Sequence, residues 1–357
     1  MKYTFNPGPS ALYPRVRDYL IEANDCGILS ASHRSRQFRD IYAWIVELIK
    51  VRMKVPIDYT VLFYPSATEC WQVLAQGAAG NNSLHVYSGD FGEKWFKIAQ
   101  KQAKGVRGVR ISADDTVMDI TAARYADFSF IALTQNETSN GSQVRPEHIL
   151  EVHQLAPSAL IAVDATSSMA GIELPWTLGD FWFASVQKCF GLPAGLAVLV
   201  VSPRGRARIE ELDYRQSYNS LVSVLAQADQ HQTVCTPNVL GIYLLYRTLQ
   251  ELPEIEKIHA QTVERSAYWY RLLESYEAFQ PYVRNPETRS DTVFCVSGRA
   301  DHIQSLGQFM SSRDITLGGG YGQLKESTFR IANFPAIPAE GFQLLEYEMG
   351  LFQKTLL

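Results

Sequence analysis

Between about residues 59 and 202 the chain alternates short apolar runs with longer amphipathic ones. Strand-length runs fall at 60–64, 84–88, 108–112, 128–134, 160–164, 181–186 and 197–202, and several are nearly continuous in apolar residues. That is the pattern of strands covered on both faces, as in a parallel sheet. Helices are predicted between them at 68–79, 92–104 and 146–155. The alternation predicts an α/β fold with a doubly wound, mostly parallel sheet of seven strands covered by helices. Ligands in such sheets bind in the loops beyond the carboxyl ends of the strands.

Upstream, Phe38, Ile41, Ile45, Leu48, Ile49 and Met53 recur at helical spacing, which predicts an amphipathic core helix over 37–54. The character changes after Pro237. Helices are expected at 239–250, 255–276 and 303–312, strands at 291–297 and 329–333, and a last helix from Pro338. This is a smaller α+β unit with its boundary near Leu252-Pro253. A large domain is expected over 14–252, with 1–13 and 253–357 forming a small one. No internal repeat or low-complexity segment interrupts this plan.

A chain of 357 residues can bury the large core that two such units require. Its net charge of -4 argues against a nucleic-acid binder, which needs a basic surface. No apolar run reaches the ~18–20 residues of a membrane span, and the N-terminal stretch lacks the apolar core of a signal peptide. The cysteines, Cys26, Cys70, Cys189, Cys235 and Cys295, are scattered and form no C-x-x-C pair. Reduced thiols in a cytoplasmic protein fit this spacing; a disulfide frame or a metal site does not. Cys189 is expected to be a small buried apolar residue.

The chemistry centres on Lys188, in Phe183-Ala184-Ser185-Val186-Gln187-Lys188-Cys189, at the end of a buried run. A lysine there is unfavourable unless it has a task, and lysine forms Schiff bases with carbonyls, including the aldehyde of pyridoxal phosphate. Asp164 ends an earlier buried run and suits that cofactor's pyridinium nitrogen. Tyr64-Pro65-Ser66-Ala67-Thr68 follows a strand and opens a helix, where free N–H groups and hydroxyls of Ser66 and Thr68 favour a phosphate; the same residues could simply cap the helix. Phe91, between Gly89 and Gly92, could lie on a flat heterocycle or in the core. Thr138, in Gln135-Asn136-Glu137-Thr138, could reach the phenolic oxygen of the cofactor, and Thr166 could donate a further hydrogen bond.

The ordered set resembles the class V aminotransferases of PLP fold type I, and within them the phosphoserine aminotransferases. The resemblance runs nearly end to end. It includes Asn6-Pro7-Gly8-Pro9, Ser32-His33-Arg34-Ser35, Asn136-Glu137-Thr138, Asp164-Ala165-Thr166-Ser167-Ser168, Gln187-Lys188, Pro193-Ala194-Gly195-Leu196 and Phe329-Arg330-Ile331. It implies a homodimeric enzyme that uses pyridoxal 5'-phosphate to move an amino group between glutamate/2-oxoglutarate and 3-phosphohydroxypyruvate/phosphoserine. Lys188 then carries the cofactor and moves protons, Asp164 pairs with its pyridinium, and Phe91 replaces the family's stacked tryptophan. Ala67, Thr68, Thr166 and Gln187 hold the phosphate, joined by Thr236 of the partner subunit; the family often has asparagine where Cys235 stands. Arg330 grips the substrate α-carboxylate, and His33 and Arg34 contact its distal group.

One departure concerns the substrate. The family's common form has a His-Arg pair before the carboxylate arginine, whereas this chain has Gly318-Gly319-Gly320-Tyr321-Gly322-Gln323-Leu324-Lys325-Glu326. Only Lys325 offers a replacement charge within that stretch. A class V transaminase for an unphosphorylated donor, serine or alanine with pyruvate or glyoxylate, is therefore the alternative. A cysteine desulfurase would carry a histidine where Phe91 stands. Ser185-Val186-Gln187-Lys188 and Ser217-Tyr218-Asn219 also match two motifs of penicillin-interacting serine enzymes, but the third, K-T-G, is absent. A binding protein on the same fold would have no use for both Lys188 and Asp164.

Overall fold

The computed structural model describes residues 3–119 and 125–356. All seven predicted strands form and share one sheet, in the order Thr60–Tyr64, Ala197–Val201, Phe181–Ser185, Leu160–Asp164, Phe130–Thr134, Ser83–Tyr87, Val106–Arg110. Ala197–Val201 runs antiparallel to both neighbours and the remaining pairings are parallel. The central strands are buried along their whole length, which is why they read as unbroken apolar runs. The strand expected at 108–112 lies two residues earlier, at Val106–Arg110. It is an edge strand, half-exposed, so no buried face fixes its limits in the sequence.

Helices Ala67–Gly77, Asp90–Gln100 and Pro146–Leu155 connect strands of this sheet as predicted, within about two residues of the expected starts. Ser66 starts the first by accepting the Glu69 N–H. The helix expected over 37–54 is Arg36–Met53; it buries Phe38, Ile41, Ile45, Ile49 and Met53 and is capped by Ser35. Among the described residues, no helix is long and apolar enough to cross a membrane.

A second sheet has five strands, in the order Tyr3–Phe5, Ile315–Gly319, Thr328–Ala332, Val293–Gly298, Phe279–Pro281. The N-terminal strand pairs in parallel with Ile315–Gly319, so the first residues of the chain close a sheet built from the last eighty or so. Phe342 of the final helix, Ala339–Leu356, packs edge-on against Phe5 at 5.0 Å and Trp269 at 5.9 Å, locking this sheet to the helix Ile255–Glu274. Hydrogen bonds join the two sheets: Thr292 Oγ1 donates to the Ser167 carbonyl at 2.6 Å, and Ser290 Oγ to Asn136 Oδ1 at 2.6 Å. Both lie behind the loops at the carboxyl ends of the large sheet's strands.

Candidate active site

Five of those loops converge. Register aligns the strand ends, with Thr134 paired to Asp164 and Asp164 to Phe183. The loops after these strands, together with the start of the helix at Ala67, line one cavity. Its walls include Ala67, Thr68, Phe91 and Thr138 on one side of the sequence and Asp164, Thr166, Gln187 and Lys188 further on. Arg330 enters from the second sheet.

Asp164 is 4% exposed and fully engaged. Its Oδ1 accepts the Thr166 N–H at 2.9 Å, and its Oδ2 accepts Trp71 Nε1–H at 2.8 Å. Burial pushes the carboxyl pKa up, opposed by its hydrogen bonds and by the Lys188 charge. Lys188 is 7% exposed. Its Nζ donates to Thr138 Oγ1 at 2.7 Å and to Ser167 Oγ at 2.8 Å, and those two hydroxyls bond each other. Burial brings the amine pKa down to about 8, against the pull of Asp164. A lysine so placed has a substantial neutral, nucleophilic fraction close to neutrality, which a surface lysine lacks. The N-terminal strand leads Pro7-Gly8-Pro9 over this lysine. Gly8 has φ +155°, and a Cβ there would sit 3.1 Å from Lys188 Cε.

The Phe91 ring is half-buried, with Lys188 Nζ 5.3 Å from its centroid. Tyr321 stacks on it at 5.0 Å with a 28° interplanar angle. Phe91 is held by a carboxylate that sequence reasoning missed. Glu137, wholly buried, accepts from the Phe91 N–H at 3.4 Å, the Gly92 N–H at 3.0 Å, and both the N–H and Oγ of Ser139 at 3.0 and 2.7 Å. At the opposite wall the helix Ala67–Gly77 opens. Ser185 Oγ accepts the Ala67 N–H at 2.8 Å, which anchors this first turn to the strand that precedes Lys188. The positive end of the helix beside Thr68 suits an anion.

Arg330 is 7% exposed and, among the described residues, has no carboxylate within ion-pair distance. Nε donates to the Gly319 carbonyl at 2.8 Å and Nη1 to the Thr138 carbonyl at 2.9 Å. Burial lowers its pKa from the ordinary arginine value. A buried guanidinium held only by carbonyls is a ready receptor for a carboxylate.

Five sequence candidates stand outside this cavity's lining. Ser66 serves as the helix cap. Lys325 is exposed, just after the turn Gly322–Leu324. Thr236 lines a separate, largely apolar pocket with Cys235, Tyr64 and Tyr218. Arg34 donates to Gln232 Oε1 at 2.9 Å, and Gln232 lines that second pocket too. His33 is half-buried beside Arg34, and burial together with that charge lowers its pKa. Cys189 is buried, its thiol against the Ser167 carbonyl at 3.3 Å, as expected of a packing residue.

Trp71, Ser167, Glu137 and Tyr321 contact the candidate residues and were not singled out in the sequence. Trp71 lies 93 positions from the carboxylate it binds and Ser167 lies 21 from Lys188, so neither contact leaves a local pattern. Ser167 did sit within the Asp164–Ser168 motif, and a hydroxyl three positions after the carboxylate was the available signal.

The family described as aminotransferase class-V matches residues 2–325 of the chain. A phosphoserine aminotransferase of solved structure from Cytophaga hutchinsonii is 34% identical, superposes with a TM-score of 0.92 and covers 98% of each chain. A phosphoserine aminotransferase of Rhodococcus opacus is 25% identical over 354 residues, 94% of this chain and 91% of the relative. The fold is also that of an aspartate aminotransferase from Thermus thermophilus, with a TM-score of 0.83 at 21% identity over 99% of this chain and 100% of the other. The chain therefore belongs to the class V aminotransferases, enzymes that work with pyridoxal 5'-phosphate.

Proposed function

We propose that this aminotransferase moves an amino group between glutamate and 3-phosphohydroxypyruvate, reversibly giving 2-oxoglutarate and phosphoserine, as a step of serine biosynthesis in the cytoplasm. The observation that carries the proposal is Arg330, a buried guanidinium with no carboxylate partner among the described residues, opening onto the cavity of Lys188 in a chain 34% identical to a phosphoserine aminotransferase. Both amino donors present the α-carboxylate that such a fork binds in bidentate fashion.

The cavity suits the cofactor. Asn136 Nδ2 is a buried donor in its wall without a partner among the described residues, and an acid, an amine, an aromatic face and a helix N-terminus surround one space. Bound there, pyridoxal phosphate supplies a carbonyl that takes up amines and a ring that draws off electrons. Lys188 would attach its aldehyde, with Thr138 and Ser167 aiming the Nζ. Asp164, fixed by Trp71 and Thr166, would hold a proton at the ring nitrogen. Phe91 would cover one ring face, with Thr138 close to the phenolic oxygen. Ala67, Thr68, Thr166 and Gln187 would take the phosphate. Lys188 Nζ would also carry a proton to and from the substrate carbon.

We further propose a homodimer with shared sites. Thr236 and the Arg34–Gln232 pair border the second pocket and not the Lys188 cavity of their own chain. That is the placement expected of groups that serve a partner's site, Thr236 at the phosphate and His33 and Arg34 at the substrate's distal group. The division into a large domain of 14–252 and a small one of 1–13 and 253–357 is likewise proposed, supported by pairing of Tyr3–Phe5 with Ile315–Gly319.

The second reading, an unphosphorylated donor, is favoured by the cavity's own inventory. Lys188 and Arg330 are the only lysine or arginine among its described lining residues, so the lining itself offers no further cation for a phosphate. A screen of single-turnover rates with phosphoserine, glutamate, serine and alanine on the yellow holoenzyme decides between them. The highest kcat/KM for phosphoserine is expected; a preference for serine or alanine would overturn the assignment.

A further inference from the structure

Lys94 projects from the helix Asp90–Gln100, which begins at the cavity with Phe91. Its side chain is exposed, yet its ammonium is directed. Nζ donates to the Tyr321 hydroxyl and lies 4.7 Å from the Tyr321 ring centroid and 5.2 Å from that of Phe91. Those stacked rings are the aromatic wall of the cavity. The Arg330 guanidinium carbon lies 5.4 Å from the centroid of the same Tyr321 ring. One tyrosine thus has the carboxylate-binding arginine and a second cation beside it.

The charge of Lys94 is not neutralised by its neighbours. Glu93 is engaged by Lys97 and Arg110. Asp90 lies against Gly322, whose φ of +55° brings the backbone so near that a Cβ would be 1.8 Å from Asp90 Oδ2. Among the described residues, no carboxylate is within ion-pair distance of Lys94. An ammonium held beside a binding cavity without a counter-ion is a receptor for an anion.

We infer, resting on the phosphoserine reaction proposed above, that Lys94 is a specificity-determining residue that reads the distal phosphate of the substrate, with Tyr321 as its support. It supplies from the helix after Phe91 the charge that the stretch 318–326 lacks. A three-carbon acid held by Arg330 at its α-carboxylate extends past Tyr321, and its phosphate meets Lys94 Nζ. Lys325, the nearest charge in sequence, is exposed as Lys94 is, but among the described residues its ammonium makes no contact with the Tyr321 or Phe91 ring. An unphosphorylated donor such as alanine does not reach Lys94.

The test compares holoenzymes of the wild type, Lys94→Gln, Lys94→Arg and Tyr321→Phe. The readouts are kcat/KM for phosphoserine relative to alanine, and calorimetric binding of 3-phosphoglycerate relative to glycerate. Losing one charge-assisted contact lowers the phosphoserine-to-alanine ratio about 10- to 100-fold in Lys94→Gln. The change should appear in KM more than kcat and be accompanied by weaker 3-phosphoglycerate binding. Lys94→Arg should retain most of the preference, and Tyr321→Phe should lose part of it by releasing the ammonium. A wild type that prefers phosphoserine, with Lys94→Gln within twofold in both readouts, would overturn the role of Lys94 while leaving the reaction standing. A wild type that prefers alanine or serine would overturn the reaction and the role of Lys94 together.

Discussion

At the residue scale the chemistry turns on how burial sets Lys188. Its amine is held between two hydroxyls, and burial brings its pKa to about 8 while Asp164 pulls the other way. The neutral form therefore becomes the majority above about 8, not above 10.5. In the cofactor-free protein, labelling of Lys188 by a small amine-selective reagent, followed by mass spectrometry, should rise with pH through a midpoint near 8. Asp164→Asn removes the charge that favours the ammonium, so the midpoint should move lower still. A wild-type midpoint at the ordinary lysine value would mean that burial does not control this amine. Both residues were legible in the sequence because each is a charged group closing an apolar run, where it is unfavourable without a use. Trp71 and Ser167 were not, because burying an indole or a hydroxyl costs far less than burying a charge and their partners are remote in the chain.

At the scale of elements, the central strands of the large sheet were legible for the same reason that they are stable: they are buried on both faces. Elements that the sequence did not reveal lack that signal. Tyr3–Phe5 has three residues, too few for a period, and Ile315–Gly319 ends in two glycines that weaken a strand pattern. The hydrogen bonds that orient elements are equally silent. Glu137 closes the loop after Phe130–Thr134 onto the start of the helix Asp90–Gln100 by accepting four donors, two of them the N–H groups of Phe91 and Gly92. Burial raises its pKa and those donors lower it. Glu137→Ala leaves buried N–H groups unpaired at a helix start, which costs about 1–3 kcal/mol. Denaturant unfolding should show that loss. The Phe91 ring should also lose its fixed position, so that kcat falls in the folded fraction. Unchanged stability and unchanged kcat in Glu137→Ala would remove Glu137 from both roles.

At the scale of the whole molecule, the arrangement of the two pockets bears on assembly. The cavity around Lys188 contains the groups proposed for the cofactor ring, yet Thr236 faces a different and largely apolar pocket of the same chain. Tyr218, which lines that pocket, is 68% exposed, an unusual amount for a large aromatic residue left in water. A twofold axis beside this face would cover Tyr218 and carry Thr236 toward the partner's phosphate site, each copy completing the other as an isologous contact requires. The loop of Thr236 and the Lys188 cavity would then be inactive separately and active together. Lys188→Ala lacks the reacting amine; Thr236→Glu presents a carboxylate to the phosphate and should be inactive through repulsion. Mixed in equal amounts under conditions of subunit exchange, the two inactive variants should recover about a quarter of wild-type activity. Random exchange makes about half the dimers hybrid, and each hybrid has one site with both native groups. Sedimentation of the wild type should give a dimer over the concentrations assayed. A monomer with full activity, or no recovery in mixtures proven to contain hybrids, would place the whole active site within one chain and require Thr236 to act elsewhere.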